Sequence, residues 1–269
     1  MSRNQKNAVM EAALTWADGI AILTINNVAR RNALSDPVKD QLLDHLTTLT
    51  SDRKCRAIVL TGAGGHFCAG GDVKNMQTRG TQNLMDRRLR MWTERLHRIV
   101  RIMVEGPKPV VTAVEGTAFG AGLSLVLASE FTVMARSARL AAAQILRGLC
   151  PDGGLYYLMS ARAGPGRARE LLLSGRQFGA EEALNYGVAH ELVDDGKTLD
   201  AAMRVAERFA AVPPLAFALG KAAMTNSYRT LDACFRAETN FHPIAGVSQD
   251  HRESIAAFLE RRNPIYIGE

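Results

Sequence analysis

The sequence predicts a layered α/β core followed by a helical C-terminal region, and three observations carry that prediction. Short β-branched runs alternate with helical stretches over roughly the first two hundred residues. Two of those runs, "RAIVLTG" and "KPVVTAVEG", end in glycine, as strands do when the chain must turn sharply into the next element. Beyond residue 199 the strand signal stops and apolar residues recur only at helical spacing. At 269 residues, 47% hydrophobic and 22% charged, the chain is long enough for one large core and an appendage.

Taken in order, "ALTWADGIAILTIN" reads as a hairpin, because Asp18-Gly19 tolerates the positive φ angles of a two-residue turn. "RAIVLTG", "KPVVTAVEG", "EFTVMA" and "VAHELV" are the following strands, with Pro107 and Pro109 marking the entry to the second. Helices are expected around 36–50, 81–104, 121–129 and 166–174, each covering part of a sheet. In "MDRRLRMWTERLHRIVRIM", Leu89, Trp92, Leu96, Ile99 and Met103 form the buried stripe, and the arginines fall on the solvated faces. Four further helices follow, broken by Pro213-Pro214, by the stretch near Tyr228 and by Pro243. The expected boundary divides a core domain, 1–198, from a helical region, 199–269.

Composition narrows the function classes. Neither a signal-peptide run in "MSRNQKNAVMEAAL" nor an apolar stretch of the ~20 residues needed to span a bilayer is found, so a cytoplasmic protein is expected. Cys55, Cys68, Cys150 and Cys234 are scattered, which predicts reduced, mostly buried thiols and no metal site. The net charge of +6 is moderate, and with aromatics at 6% no aromatic-and-basic platform for single-stranded nucleic acid is visible. Nucleotide-phosphate loops are also missing: neither glycine-rich turn has P-loop spacing or a dinucleotide fingerprint.

Those two turns are the chemical signal. "HFCAGGDVKNM" and "VEGTAFGAGLSLVLASE" each place bare backbone between a strand and a helix start, where N–H groups lack intrahelical partners. Two such groups converging on one point would hold an oxygen that gains negative charge during a reaction. Each turn taken alone is better explained as ordinary punctuation.

In their order and separation, "GHFCAGGDVKNM", "KPVVTAVEGTAFGAGLSLVLASEF", "GLCPDGG" and "FLERRNPIYIGE" resemble the enoyl-CoA hydratase/isomerase, or crotonase, superfamily over essentially the whole chain. The resemblance implies a spiral of ββα units with a helical C-terminal trimerisation region. It implies acyl-CoA thioester substrates, homo-oligomers of three or six, and no cofactor beyond the substrate's own coenzyme A. By position it makes Gly71 and Ala121 the oxyanion N–H donors. It places Arg30, Asn32, Ala33, Ala69, Lys74, Gly120 and Arg261 among the residues along the substrate and its coenzyme A, with Arg262 beside the last of these.

The departures from the family pattern are equally informative. Hydratases of the superfamily use two glutamates, and this chain has Ser124 and Gln144 at the corresponding positions. Neither carries a proton as a carboxylate does. One carboxylate remains, Asp152 in "CPDGGLYY", in a poorly solvated setting that would raise its pKa; the alternative is a cap on the following helix. The expected function is therefore a double-bond isomerase using Asp152. The alternatives are a hydratase or other crotonase-type reaction drawing on another carboxylate such as Glu130, a dehalogenase, and a non-catalytic CoA- or RNA-binding member.

Overall fold

The computed structural model describes residues 11–72, 82–226 and 230–269. Strands β1 (Ala12–Ala17) and β2 (Ile20–Ile25) form the predicted hairpin, with Asp18 and Gly19 both at positive φ. Beyond it β3 (Ala57–Gly62), β4 (Val110–Val114), β6 (Phe131–Ala135) and β9 (Glu191–Val193) add in parallel, giving the six-stranded order β1-β2-β3-β4-β6-β9. Because both faces of these parallel strands are covered, β3 and β4 are almost continuously apolar.

A second sheet of three short strands, β5 (Thr117–Phe119), β7 (Arg139–Ala141) and β8 (Phe178–Gly179), stands apart from the first. The sequence reading missed it, since strands of two or three residues carry too few side chains to show a period.

On one side of the main sheet lie α1 (Asp36–Ser51), α2 (Gln82–Glu105), α3 (Ala121–Leu127) and α4 (Leu155–Ser174), whose buried leucines, valines and alanines join one large core. Ser35 starts α1: its hydroxyl accepts from the Val38 N–H and Pro37 sits in the first turn. Helix α4 begins eleven residues before the predicted start at 166, with Gly164 at φ 77° and Pro165 kinking it midway; the sequence signal had captured only the half beyond the kink.

The short α5 (Ala180–Asn185) leads to β9, and α6 (Thr198–Ala210) then covers the other face of the sheet. Ala201, Ala202, Val205 and Ala206 pack there on Ile20, Val59, Val111 and Val133. The first helix of the expected C-terminal region thus supplies one wall of the core. After it come α7 (Pro214–Asn226), α8 (Leu231–Gly246) and α9 (Gln249–Glu260). Contrary to the predicted break, α8 runs through Pro243 to Gly246. Lys221 of α7 ties this region to the core, its ammonium 2.9 Å from Glu130 and hydrogen-bonded to the Met103 and Lys108 carbonyls. All four cysteines are free; Cys55 and Cys68 are buried, whereas Cys150 is exposed. No helix among the described residues is long and apolar enough to cross a membrane.

Candidate active site

The two glycine-rich turns meet. Cys68 N–H donates to Thr117 O at 2.9 Å and Phe119 N–H to Cys68 O at 2.9 Å, so the first turn runs as a parallel bridge beside β5. Contact is close enough that only glycine fits: a Cβ on Gly70 (φ +92°) would stand 2.7 Å from Phe119 O, and one on Gly122 2.5 Å from Cys68 O. Gly70 turns its carbonyl away to the Leu34 N–H at 2.8 Å. Gly120 donates to Ala141 O at 2.8 Å. Ala121 is the first residue of α3, where an N–H has no intrahelical acceptor. Among the described residues neither the Gly71 nor the Ala121 N–H meets an acceptor.

Segment 30–34 lines the first turn. Arg30 pairs with Asp72, Ala69 N–H donates to Arg31 O at 2.9 Å, and Leu34 bridges Gly71, which brings Arg30, Asn32, Ala33 and Ala69 to one place. Asn32, at φ 60° and fully buried, uses its side chain internally. Its amide donates to the Ala63 and His66 carbonyls at 2.8 and 2.5 Å, and its Oδ1 accepts from Asn27 N–H at 2.9 Å. The side chain therefore shapes the turn and has no group left for a ligand. Lys74 lies outside the described residues. Arg261 ends α9 in the left-handed conformation, exposed, and among the described residues no hydrogen bond or ion pair joins it to either turn. Neighbouring Arg262 is committed to Glu253 and Glu260.

Asp152 faces the second turn. Its carboxylate accepts from the Gln144 amide at 3.0 Å, and a Cβ on Gly120 (φ +53°) would stand 3.2–3.4 Å from that same amide. Gln144 thus sits between the carboxylate and the residue before Ala121. Ser124, fully buried, donates to the Asp152 carbonyl at 3.2 Å and fixes its backbone. Two left-handed glycines, Gly153 and Gly154, let the chain pass from Asp152 into α4, and a Cβ on Gly153 would collide with Ser124 Oγ and Leu96. The cap reading fails: Gly154 is the N-cap of α4, with no side-chain cap, and the Asp152 carboxylate turns to Gln144 instead. Burial pushes the Asp152 pKa up, while the Gln144 hydrogen bond and the positive charges of His97 and Lys39 oppose it.

Glu130, the other carboxylate considered, is bound to Lys221 and accepts the Val110 N–H at 2.7 Å, beyond the C-terminal end of the helix that Ala121 begins. His66 is a loop residue whose ring meets Thr117 Oγ1 at 3.2 Å. A cavity of about 600 Å³ between α2, α4 and α7, lined by Val104, Tyr157, Arg162, Phe217 and Lys221 among others, takes in neither turn.

Lys39 escaped the sequence reading. It lies on α1 in step with Leu42, Leu43 and Leu46, a stripe where an apolar residue is expected, and it is fully buried. A charged residue in an otherwise apolar stripe was the available signal.

A parallel sheet of this order, with two glycine turns that meet and Gln144 and Asp152 beside the second, is an architecture of the crotonase type. The chain belongs to the enoyl-CoA hydratase/isomerase family, whose model matches residues 15–269. It is 36% identical to the 1,2-epoxyphenylacetyl-CoA isomerase of Escherichia coli (strain K12), over 97% of this chain and 100% of that one. It is 30% identical to the 2,3-dehydroadipyl-CoA hydratase of the same organism, over 93% and 95%. Among solved structures, the enoyl-CoA hydratase from Bacillus anthracis superposes with a TM-score of 0.90 at 29% identity, covering 96% of this chain and 100% of that chain. The enoyl-CoA hydratase from Polaromonas sp. JS666 gives 0.88 at 31%, covering 95% and 99%.

Proposed function

We propose that this protein moves a double bond in an unsaturated acyl-CoA. Asp152 removes a proton from C2 or C4, and the electron pair passes into the thioester carbonyl. The Gly71 and Ala121 N–H groups hold the resulting enolate, and the same carboxyl group returns the proton at the other end. The step is redox-neutral and draws on nothing beyond the substrate's own coenzyme A.

The observation that supports it is the arrangement beside the second turn: the Asp152 carboxylate with Gln144 and Ser124 where hydration would need proton carriers. A proton shift needs one base, whereas hydration must also activate water. The relatives are named for isomerisation and for hydration alike, so the reading rests on these side chains. Glu130 gives no support to the hydratase alternative, being occupied by Lys221.

Incubation with 2-enoyl- and 3-enoyl-CoA esters in D₂O, followed by mass spectrometry, tests the proposal. Isomerisation or deuterium uptake without added water mass is expected, and Asp152→Asn should lower the rate by about 10²–10⁴-fold, the usual worth of a positioned acid–base. Water addition that persists in the variant would return the protein to the hydratases.

We propose also that the chain works as a homo-oligomer of three or six. Val247, Phe258, Leu259 and Ile265 stand exposed in the C-terminal region, an apolar surface of the kind an assembly covers.

A further inference from the structure

Two buried side-chain polar atoms among the described residues have no hydrogen-bond partner: Gln144 Oε1 and Lys39 Nζ. Buried polar groups are normally satisfied, because each one left without a partner costs stability. Gln144 already contacts Asp152. The Lys39 ammonium also acts on Asp152, since its charge is among those that oppose the rise in the Asp152 pKa.

The surroundings of Lys39 show an ammonium held in place and left short of acceptors. Its Nζ is 4.1 Å from the centroid of the Trp92 ring. Asp36 Oδ1 lies 2.9 Å away but out of line for a hydrogen bond, and the same oxygen is shared with Arg95 at 3.1 Å. Arg95 in turn reaches Asp40 at 3.2 Å. Trp92 stands one helical turn before Leu96, and Leu96 is the α2 side chain that closes on Gly153, next to Asp152. The cation therefore belongs to the same corner, between α1 and α2, as the candidate base. Around Gly153 and Gly154 the α2 and α4 side chains Leu96, Val100 and Leu158 are apolar.

We infer that Lys39 is a specificity-determining residue of the acyl site, where its ammonium binds an oxygen acceptor, a carboxylate or a ketone, carried on the acyl group. This rests on the reading of Asp152 and the two turns as the acyl-CoA site. An ammonium has three donors and its counter-ion among the described residues, Asp36, is shared with Arg95, so a substrate oxygen takes a donor that Asp36 leaves over. Desolvation outweighs the Asp36 contact and brings the Lys39 pKa down to about 8, which makes the interaction sensitive to mild alkali.

Saturated CoA esters bind without turning over, so their affinities are independent of whether Asp152 is the base. Calorimetry would compare butyryl- with succinyl-CoA, valeryl- with glutaryl-CoA, hexanoyl- with adipyl-CoA, and hexanoyl- with 5-oxohexanoyl-CoA. At one chain length the oxygen-bearing ester should bind at least tenfold more tightly than its alkyl partner. Lys39→Met should bring that ratio to within twofold without weakening the alkyl ester, and Lys39→Arg should keep part of it. In the unaltered protein the ratio should also fall as pH rises through 8, a readout that needs no variant. A preference confined to the diacids would identify the acceptor as anionic, and one that includes the ketone as any carbonyl oxygen. A ratio near one at every length, or a ratio unchanged in Lys39→Met, would overturn the inference.

Discussion

Asp152 illustrates how few groups set the protonation of a carboxyl. Burial raises its pKa, and the Gln144 amide is the first of the groups that pull it back. In the proposed mechanism the base form is the ionised one, so activity should rise as pH climbs through that value. Gln144→Leu removes the lowering contact while keeping bulk. It should shift the acid limb of the kcat/KM profile to higher pH, with kcat at the alkaline plateau falling less than in Asp152→Asn; an unshifted limb would show that Gln144 has no hold on the base. The sign for stability is opposite. A carboxyl whose native pKa is raised binds protons more readily folded than unfolded, so its contribution falls as pH rises from the free-aspartate range through the native value.

The elements matter for where they begin. Gly120 precedes α3 at φ 53° and ψ −115°, a backbone region closed to other residues, and that conformation directs the Ala121 N–H. Gly120→Ala should cost about 1–3 kcal/mol in urea unfolding, the usual penalty for forcing an L-residue into such a region. Its Cβ would also press on Gln144, so turnover should fall further than the lost stability explains. Equal activity per folded molecule would contradict the placement of the second donor. Much of this scale was legible in the sequence. The Asp18-Gly19 hairpin, the glycine-ended strands β3 and β4, and the stripe Leu96–Ile99–Met103 follow from local propensity and period. The three-stranded sheet was not, because Thr117–Phe119, Arg139–Ala141 and Phe178–Gly179 are held by partners remote in sequence rather than by any pattern of their own. Nor was Pro243, which α8 carries near its C-terminal end, where few hydrogen bonds follow.

At the scale of the whole molecule, the C-terminal helices divide in two. Helix α6 completes the core, whereas α8 and α9 present large exposed apolar residues, Phe258 among them at 81% accessibility. Light scattering should give a mass of three or six chains of 29.2 kDa each. Phe258→Glu should weaken that assembly, since burying a side chain of this size is worth about 1.5–3 kcal/mol at an interface and a charge reverses the sign. A monomer from the unaltered chain would refute the oligomer.

By itself, the sequence determined the class of fold and the two glycine turns, because each is written in local spacing or residue type, while the family resemblance implied that Ser124 and Gln144 stand where hydratases carry glutamates. Only the tertiary structure decided what those residues do to one another. It turned Asp152 toward Gln144 rather than toward the helix it precedes, and it closed Asn32 inside its own turn. It also buried Lys39 against Trp92. Hydrogen-bond partners and desolvation depend on distances between segments far apart in the chain, and those distances exist only once the strands have paired and the helices have packed.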